Sequence, residues 1–159
     1  QVDKYTWVDY GSSYLPSDIN AAYLYSQLEC ADVINNDRLA SWNYYYDALT
    51  PLRDAGLIRL PVVSSGCVHN AHLFRIMTAD LAERTRLIAY LRERGIMATF
   101  HYVPLHSAPA GRKFGRFHGR DEFTTAESDK LVRLPMYYGM AKEDRTAVVE
   151  AVSDFYRTR

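Results

Sequence analysis

Apolar positions in the first third of the chain recur at the spacing of an α-helix. From residue 17 to residue 56 they fall mostly three or four positions apart, which places them along one helical face. Ser17 follows Pro16 and is a good N-cap, and Gly56 suits the turn that ends a helix. The pattern predicts a long helix over residues 17–56. In a small domain, a helix of this length often bridges to another domain or chain.

The remainder of the chain mixes short extended segments with amphipathic helices. The predicted strands are Leu57–Pro61, His69–Thr78 and Ile96–Val103, with a brief extended piece at Leu134 and Pro135. The predicted helices are Glu83–Arg94, a short one that starts with a T-x-x-E capping box at Thr124 and Glu127, and Lys142–Arg157. Strands that follow one another without regular alternation predict an α+β fold. We expect a mainly antiparallel sheet with helices on one face.

Composition excludes several classes of partner. The chain has 159 residues, and its 19 lysines and arginines balance 19 aspartates and glutamates. This neutrality argues against nucleic acid or an anionic membrane as the main partner, since both attract a surplus of positive charge. Two cysteines do not make a disulfide framework, and no apolar run is long enough to span a bilayer. We expect a cytoplasmic protein.

The densest polar and aromatic chemistry lies between Thr99 and Gly115. Residues 104–123 are rich in glycine and proline, which predicts a long loop. Loops of this length are usually functional or mobile. Arg112 and Lys113 lie beside glycines, where cations and backbone N–H groups can hold a phosphate or pyrophosphate. The alternative interpretation is a solvated loop around a turn fixed by proline.

Two further features admit a functional and a structural interpretation. The hydroxyls of Ser12 and Ser13 precede a helix N-terminus, a place that favours anions, but capping by Ser17 needs no ligand. His101 and His106 could share a metal ion if the turn at Pro104 brought them together. Scattered histidines of this kind are mostly structural, so a small metal-binding module is the weaker hypothesis.

Three segments carry a resemblance to a known family. They are GSSYLPSDINAAYLYSQLE from Gly11, GIMATFHYVPLH from Gly95 and followed by Pro109, and the Leu134-Pro135-Met136 element. In this order they resemble the DegT-like sugar-nucleotide aminotransferases, which are pyridoxal-phosphate enzymes of fold type I. The resemblance covers nearly the whole chain.

The resemblance implies a division of the chain. Residues 1–16 would be an opening segment from an upstream cofactor domain, residues 17–56 the bridging helix, and residues 57–159 a small C-terminal α+β domain. The lysine that binds pyridoxal 5'-phosphate would lie upstream of Gln1, because Lys4 is too close to the first motif to be its equivalent. This chain would then contain no catalytic residue and would not transaminate alone.

The resemblance also implies site residues. Ser13 would donate a hydrogen bond to the cofactor phosphate of the partner subunit. The residues implied to face the substrate are Tyr14, His101, Tyr102 and His106. Building the wall of the cleft is the competing role for these side chains. From charge alone, we add Arg112 and Lys113 as contacts to the pyrophosphate of a sugar nucleotide.

The implied reaction moves an amino group from glutamate to C4 of a dTDP-4-keto-6-deoxy sugar. Enzymes of this kind are homodimers whose cleft is shared between subunits, so a homodimer is expected. The hypothesis from another class is a standalone, non-catalytic binding or dimerisation domain that retains the fold.

Overall fold

The computed structural model describes residues 14–158. The chain divides into two units, and the boundary follows Asp32. The first unit contains helix α1, Asp18–Glu29, none of whose residues is buried. The Ser17 hydroxyl accepts a hydrogen bond from the Asn20 backbone N–H at 3.3 Å, so the predicted N-cap is confirmed.

The helical region predicted over residues 17–56 forms two helices. Helix α1 ends at Glu29, and helix α2, Ala31–Asp54, begins after a turn at Cys30. The Cys30 N–H bonds to the Gln27 carbonyl at 3.1 Å, a tighter closure than an α-helical turn. The prediction of one long helix over residues 17–56 is therefore wrong at Cys30, while the apolar periodicity correctly indicated helix on both sides.

A two-stranded antiparallel sheet lies at the centre of the second unit. Strand β1, Phe74–Met77, pairs with strand β2, Leu131–Leu134, so that Phe74 is opposite Leu134. Single bridges, Arg59 to Met77 and Thr99 to Arg133, extend the pairing at each edge. The predicted antiparallel α+β fold is confirmed, but β1 is shorter than the predicted segment 69–78, and β2 is longer than the extended piece predicted at Leu134 and Pro135. The predicted strands 57–61 and 96–103 each contribute one bridge residue to the sheet, Arg59 and Thr99.

Alternation along the strands gives the sheet two unlike faces. Phe74 and Ile76 on β1, with Val132 and Leu134 on β2, point into a core that helices cover. The core also receives buried side chains from helix α2, from helix α3, Leu81–Arg92, and from helix α6, Lys142–Arg157. Helix α6 has the bounds that its sequence pattern predicts.

Glycines end two helices in the same way. Gly56 has φ +71°, its N–H bonds to the Arg53 carbonyl, and the next N–H, of Leu57, reaches back to Leu52. Gly95 has φ +74° and repeats this pattern after α3. These are Schellman motifs, whose left-handed residue is usually glycine. Both predicted glycine caps are confirmed, although α3 lies two residues earlier than the predicted Glu83–Arg94.

The region between residues 104 and 128 contains more regular structure than predicted. A 3-10 turn, Leu105–Ser107, precedes helix α4, Pro109–Phe114, where proline occupies the first helical position. Helix α5, Thr124–Ser128, begins as predicted, but Thr124 is not its N-cap. The predicted capping box is absent because the Glu127 N–H bonds to the Phe123 carbonyl and the Glu127 carboxylate binds Arg59.

A buried tyrosine joins helix α2 to the segment after β2. Tyr45 is 0% exposed, and its hydroxyl donates to the Pro135 carbonyl at 2.8 Å. Its ring lies 5.3 Å from the Phe74 ring. Burial raises the pKa of the Tyr45 hydroxyl, so it remains a protonated donor at all ordinary pH values. This bond fixes the exit of the chain from the sheet.

We predict that Tyr45→Phe lowers the free energy of unfolding by about 1–2 kcal/mol, because the Pro135 carbonyl loses a buried donor. The control is Tyr138→Phe, whose side chain is exposed and should change stability by less than about 0.5 kcal/mol. Urea unfolding of the two variants and the parent measures the difference. Equal effects of both changes would contradict the role of the Tyr45 hydroxyl.

Candidate functional site

Two predicted site residues follow the edge bridge at Thr99. The imidazole Nδ1 of His101 lies 3.2 Å from a guanidinium nitrogen of Arg133 on strand β2. Tyr102 is 67% exposed, and its carbonyl accepts a hydrogen bond from the Ser128 hydroxyl. The sheet and helix α5 thus hold the backbone of this segment, while the Tyr102 ring remains available at the surface.

His106 lies in a polar cluster that the sequence motifs did not indicate. Its Nε2 is 2.9 Å from Asp121 Oδ2, and both side chains are 21% exposed. The Thr125 hydroxyl bonds to the same carboxylate and lies 3.4 Å from His106 Nε2. Hydrogen bonds from Thr125 hold the pKa of the Asp121 carboxyl below its ordinary value, and His106 acts in the same direction. The cluster therefore fixes the orientation of the His106 ring.

A cleft of about 630 Å³ opens beside His106. This volume is in the range of small-molecule sites. Its mainly apolar lining includes Leu105, His106, Gly111, Phe114, Phe117 and His118. The Phe117 ring lies 4.5 Å from the imidazole of His106. Aromatic walls with one oriented imidazole suit a ligand that has both a planar ring and polar groups.

Gly111 lines the cleft and packs closely against the preceding turn. A Cβ at this position would lie 1.7 Å from the Leu105 carbonyl oxygen, so only glycine allows helix α4 to approach the preceding 3-10 turn this closely. The glycine content of the segment indicated a loop, but its role here is close backbone packing.

Arg112 and Lys113 lie on helix α4 with exposed side chains. The Lys113 ammonium is 4.9 Å from the centre of the Phe114 ring. Neither cation lines the cleft, whereas Arg116 does. Sequence reasoning missed Arg116, although its place directly after Gly115 was a signal of the same kind.

The other predicted residues belong to the first unit. Ser13 lies outside the described residues, and Tyr14 is 91% exposed. Within residues 14–158, no group of three or more histidines, cysteines and carboxylates is placed to hold a metal ion. Within the same residues, no helix has the length and apolar character needed to cross a membrane.

Comparison with known proteins identifies the family. The sequence matches the DegT/DnrJ/EryC1/StrS aminotransferase family over residues 1–153. The chain belongs to this family. Its members are sugar aminotransferases that depend on pyridoxal phosphate. The predicted family is therefore confirmed.

Individual proteins are also similar to the chain. The uncharacterized protein MJ1066 of Methanocaldococcus jannaschii is 30% identical over 154 residues, which are 93% of this chain and 39% of that protein. The dTDP-3-amino-3,4,6-trideoxy-alpha-D-glucose transaminase of Micromonospora megalomicea subsp. nigra is 27% identical over 139 residues, 86% of this chain and 36% of that enzyme. The structure of S. venezuelae DesV superposes with a TM-score of 0.80 at 26% identity, covering 98% of this chain and 40% of DesV. The chain thus spans about two fifths of the length of the proteins it matches.

We predict that Asp121→Asn reduces stability near neutral pH and that this loss shrinks on acidification. The pKa of the Asp121 carboxyl is lower in the folded state than its value of about 3.9 in the unfolded chain. The ionised carboxyl therefore stabilises the fold above the unfolded pKa. This contribution is lost as the pH falls through the pKa of the folded state. Unfolding at pH 7, 4 and 2.5 measures the change. The control Glu122→Gln removes an exposed neighbouring charge and should show no such pH-dependent loss. A penalty for Asp121→Asn that stays constant down to pH 2.5 would contradict the prediction.

Proposed function

We propose that the chain is the C-terminal part of a sugar-nucleotide transaminase that moves an amino group from glutamate to C4 of a dTDP-4-keto-6-deoxy sugar. The single observation that carries this proposal is the family match over residues 1–153. Residues 1–16, 17–56 and 57–159 would be the opening segment, the bridging region and the small domain. The enzyme would work in the cytoplasm as a homodimer.

The proposal of a particular sugar rests on the amino-acid sequence of the first motifs. VDKYTW and the following GSSYLPS are similar to the dTDP-4-amino-4,6-dideoxygalactose transaminase of enterobacterial common antigen synthesis. We therefore propose this sugar as the product. The Micromonospora relative is named for a 3-amino sugar, so the position of the amine separates the two activities.

Pyridoxal 5'-phosphate would supply the chemistry by accepting the amino group and withdrawing electrons from the reacting carbon. From this chain, the resemblance assigns only Ser13 to the cofactor phosphate. The neighbouring Ser17 hydroxyl already accepts the Asn20 N–H, so Ser17 is the cap of α1 and is not proposed as a cofactor contact. The lysine that binds the cofactor is proposed to lie upstream of Gln1.

The cleft beside His106 is proposed to bind the sugar nucleotide. Phe114 and Phe117 would pack against planar or deoxy parts of the substrate, and the oriented His106 ring would hydrogen-bond a polar group. His101 and the exposed Tyr102 ring would contact the substrate from the preceding segment. Each of these side chains would bind or orient the substrate, and none would form a covalent bond.

The pyrophosphate is proposed to lie against helix α4. Arg112 and Lys113 lie in its last turn, and Arg116 follows at the edge of the cleft. A pyrophosphate carries at least two negative charges, which suits this set of cations.

We predict that the full native protein, loaded with pyridoxal phosphate, forms dTDP-4-amino-4,6-dideoxygalactose from dTDP-4-keto-6-deoxyglucose and glutamate. Mass spectrometry would detect the amine, and the proton couplings around C4 would distinguish galacto from gluco product. The matched control omits glutamate, and a second control offers a dTDP-3-keto sugar. Amination at C3 would contradict the C4 assignment, and no amination of either sugar would favour the binding-domain hypothesis.

Replacing Arg112 and Lys113 together by alanine should raise the KM for the sugar nucleotide about tenfold or more, because charged hydrogen bonds to the pyrophosphate are lost. The KM for glutamate should not change. Arg86 and Arg92, exposed on helix α3, provide a double-alanine control with the same loss of charge. An unchanged KM for the sugar nucleotide would refute the placement of the pyrophosphate.

A further inference from the structure

The face of the sheet opposite the core carries an unusual pair of charges. Arg75 lies on β1 between the buried residues Phe74 and Ile76, so its side chain points away from the core. Its partner across the sheet is Arg133. Like charges directly opposite one another on neighbouring strands are destabilising. Such a pair is tolerated more easily when an anion lies against it.

The two arginines differ in what they contact. Arg133 reaches the imidazole of His101 at 3.2 Å. Within residues 14–158, the guanidinium of Arg75 has no hydrogen bond or ion pair, although the residue is only partly exposed. Burial, and then the charge of Arg59, lower the pKa of Arg75, and the charge of Glu127 only partly opposes them. An anion at this place would compensate that charge.

A cavity of about 430 Å³ adjoins Arg75. Arg53 and Arg59 also line it, together with the single carboxylate of Glu127. Its apolar wall consists of Ile58, Leu60, Val62 and Met77. The lining shares no residue with the cleft beside His106. Its volume exceeds what a bare ion needs and is in the range of sites for small organic ligands.

The carboxylates near the cavity leave several guanidinium N–H donors without a hydrogen-bond partner in the described part of the chain. Glu127 bonds to Arg59 through Nη2 alone, at 2.8 and 2.7 Å to its two oxygens. This pair holds the Arg59 side chain in place while its Nε and Nη1 groups have no partner in the described part of the chain. Arg53 is paired with Asp54 and with the Tyr46 hydroxyl. It therefore contributes positive electrostatic potential to the cavity and few free hydrogen-bond donors. The donors that remain come from two guanidinium groups, Arg75 and Arg59.

The geometry points to a binding site for a small phosphate-bearing molecule in this cavity, with Arg75 and Arg59 on the phosphate and the apolar wall on its organic part. Two guanidinium groups that offer several N–H donors suit the tetrahedral oxygens and double charge of a phosphate. A single carboxylate would leave part of this charge unmatched. The site does not depend on the proposed transaminase activity.

Inorganic phosphate is the first probe, titrated by calorimetry into the full native protein at constant ionic strength. We expect Arg75→Met to weaken phosphate binding about tenfold or more, and Arg75→Lys to weaken it less, because the charge is kept but the fork of donors is lost. The control Arg86→Met removes one exposed arginine outside the cavity and should leave binding unchanged. Circular dichroism confirms that each variant is folded.

Tungstate, a heavy analogue of phosphate, then locates the site in crystals by its anomalous signal. A peak against Arg75 and Arg59 supports the proposal. Equal weakening by Arg75→Met and Arg86→Met would overturn it, because binding would then follow net charge alone. Acetate that binds as tightly as phosphate would overturn the assignment to phosphate. No phosphate-dependent heat, or tungstate bound elsewhere only, would overturn the site. Measured transaminase activity has no bearing on any of these outcomes.

Discussion

Antiparallel pairing between Phe74–Met77 and Leu131–Leu134 is the constraint on which both surfaces of the second unit depend. Because side chains alternate along a strand, one register places Phe74, Ile76 and their partners in the core. The same register leaves Arg75 and Arg133 together on the opposite face. A slip of one residue would bury these arginines and expose the apolar set, which makes the register strongly specified.

The loop region that follows the sheet edge is organised by a few close contacts. Gly111 allows helix α4 to touch the turn before it, and the Asp121 carboxylate orients His106. Together these contacts form an apolar cleft with one fixed imidazole at its edge. Under the proposed function, this cleft would receive a sugar nucleotide, which combines a flat base, a sugar and charged phosphates.

Charge is distributed unevenly although the chain is neutral. Arg53, Arg59 and Arg75 line one cavity, and the cations of helix α4 lie beside the cleft of His106. The zero net charge argues against a polyanion as main partner, yet it says nothing about small anions. Local clusters of two or three guanidinium groups are enough for such ligands.

Sequence alone determined the features that depend on neighbours along the chain. Ser17 caps α1, Gly56 and Gly95 end their helices, and α6 has its predicted bounds, because capping and helical period act within about one turn. The family, too, was readable from short motifs. Tertiary structure alone decided which partners distant residues take. Glu127 does not form its predicted capping box and instead binds Arg59, which is 68 positions away in the sequence. The Thr125 hydroxyl contacts His106, which is 19 positions away. Such contacts arise only when the sheet register and helix packing bring separate segments together, and no local pattern encodes them.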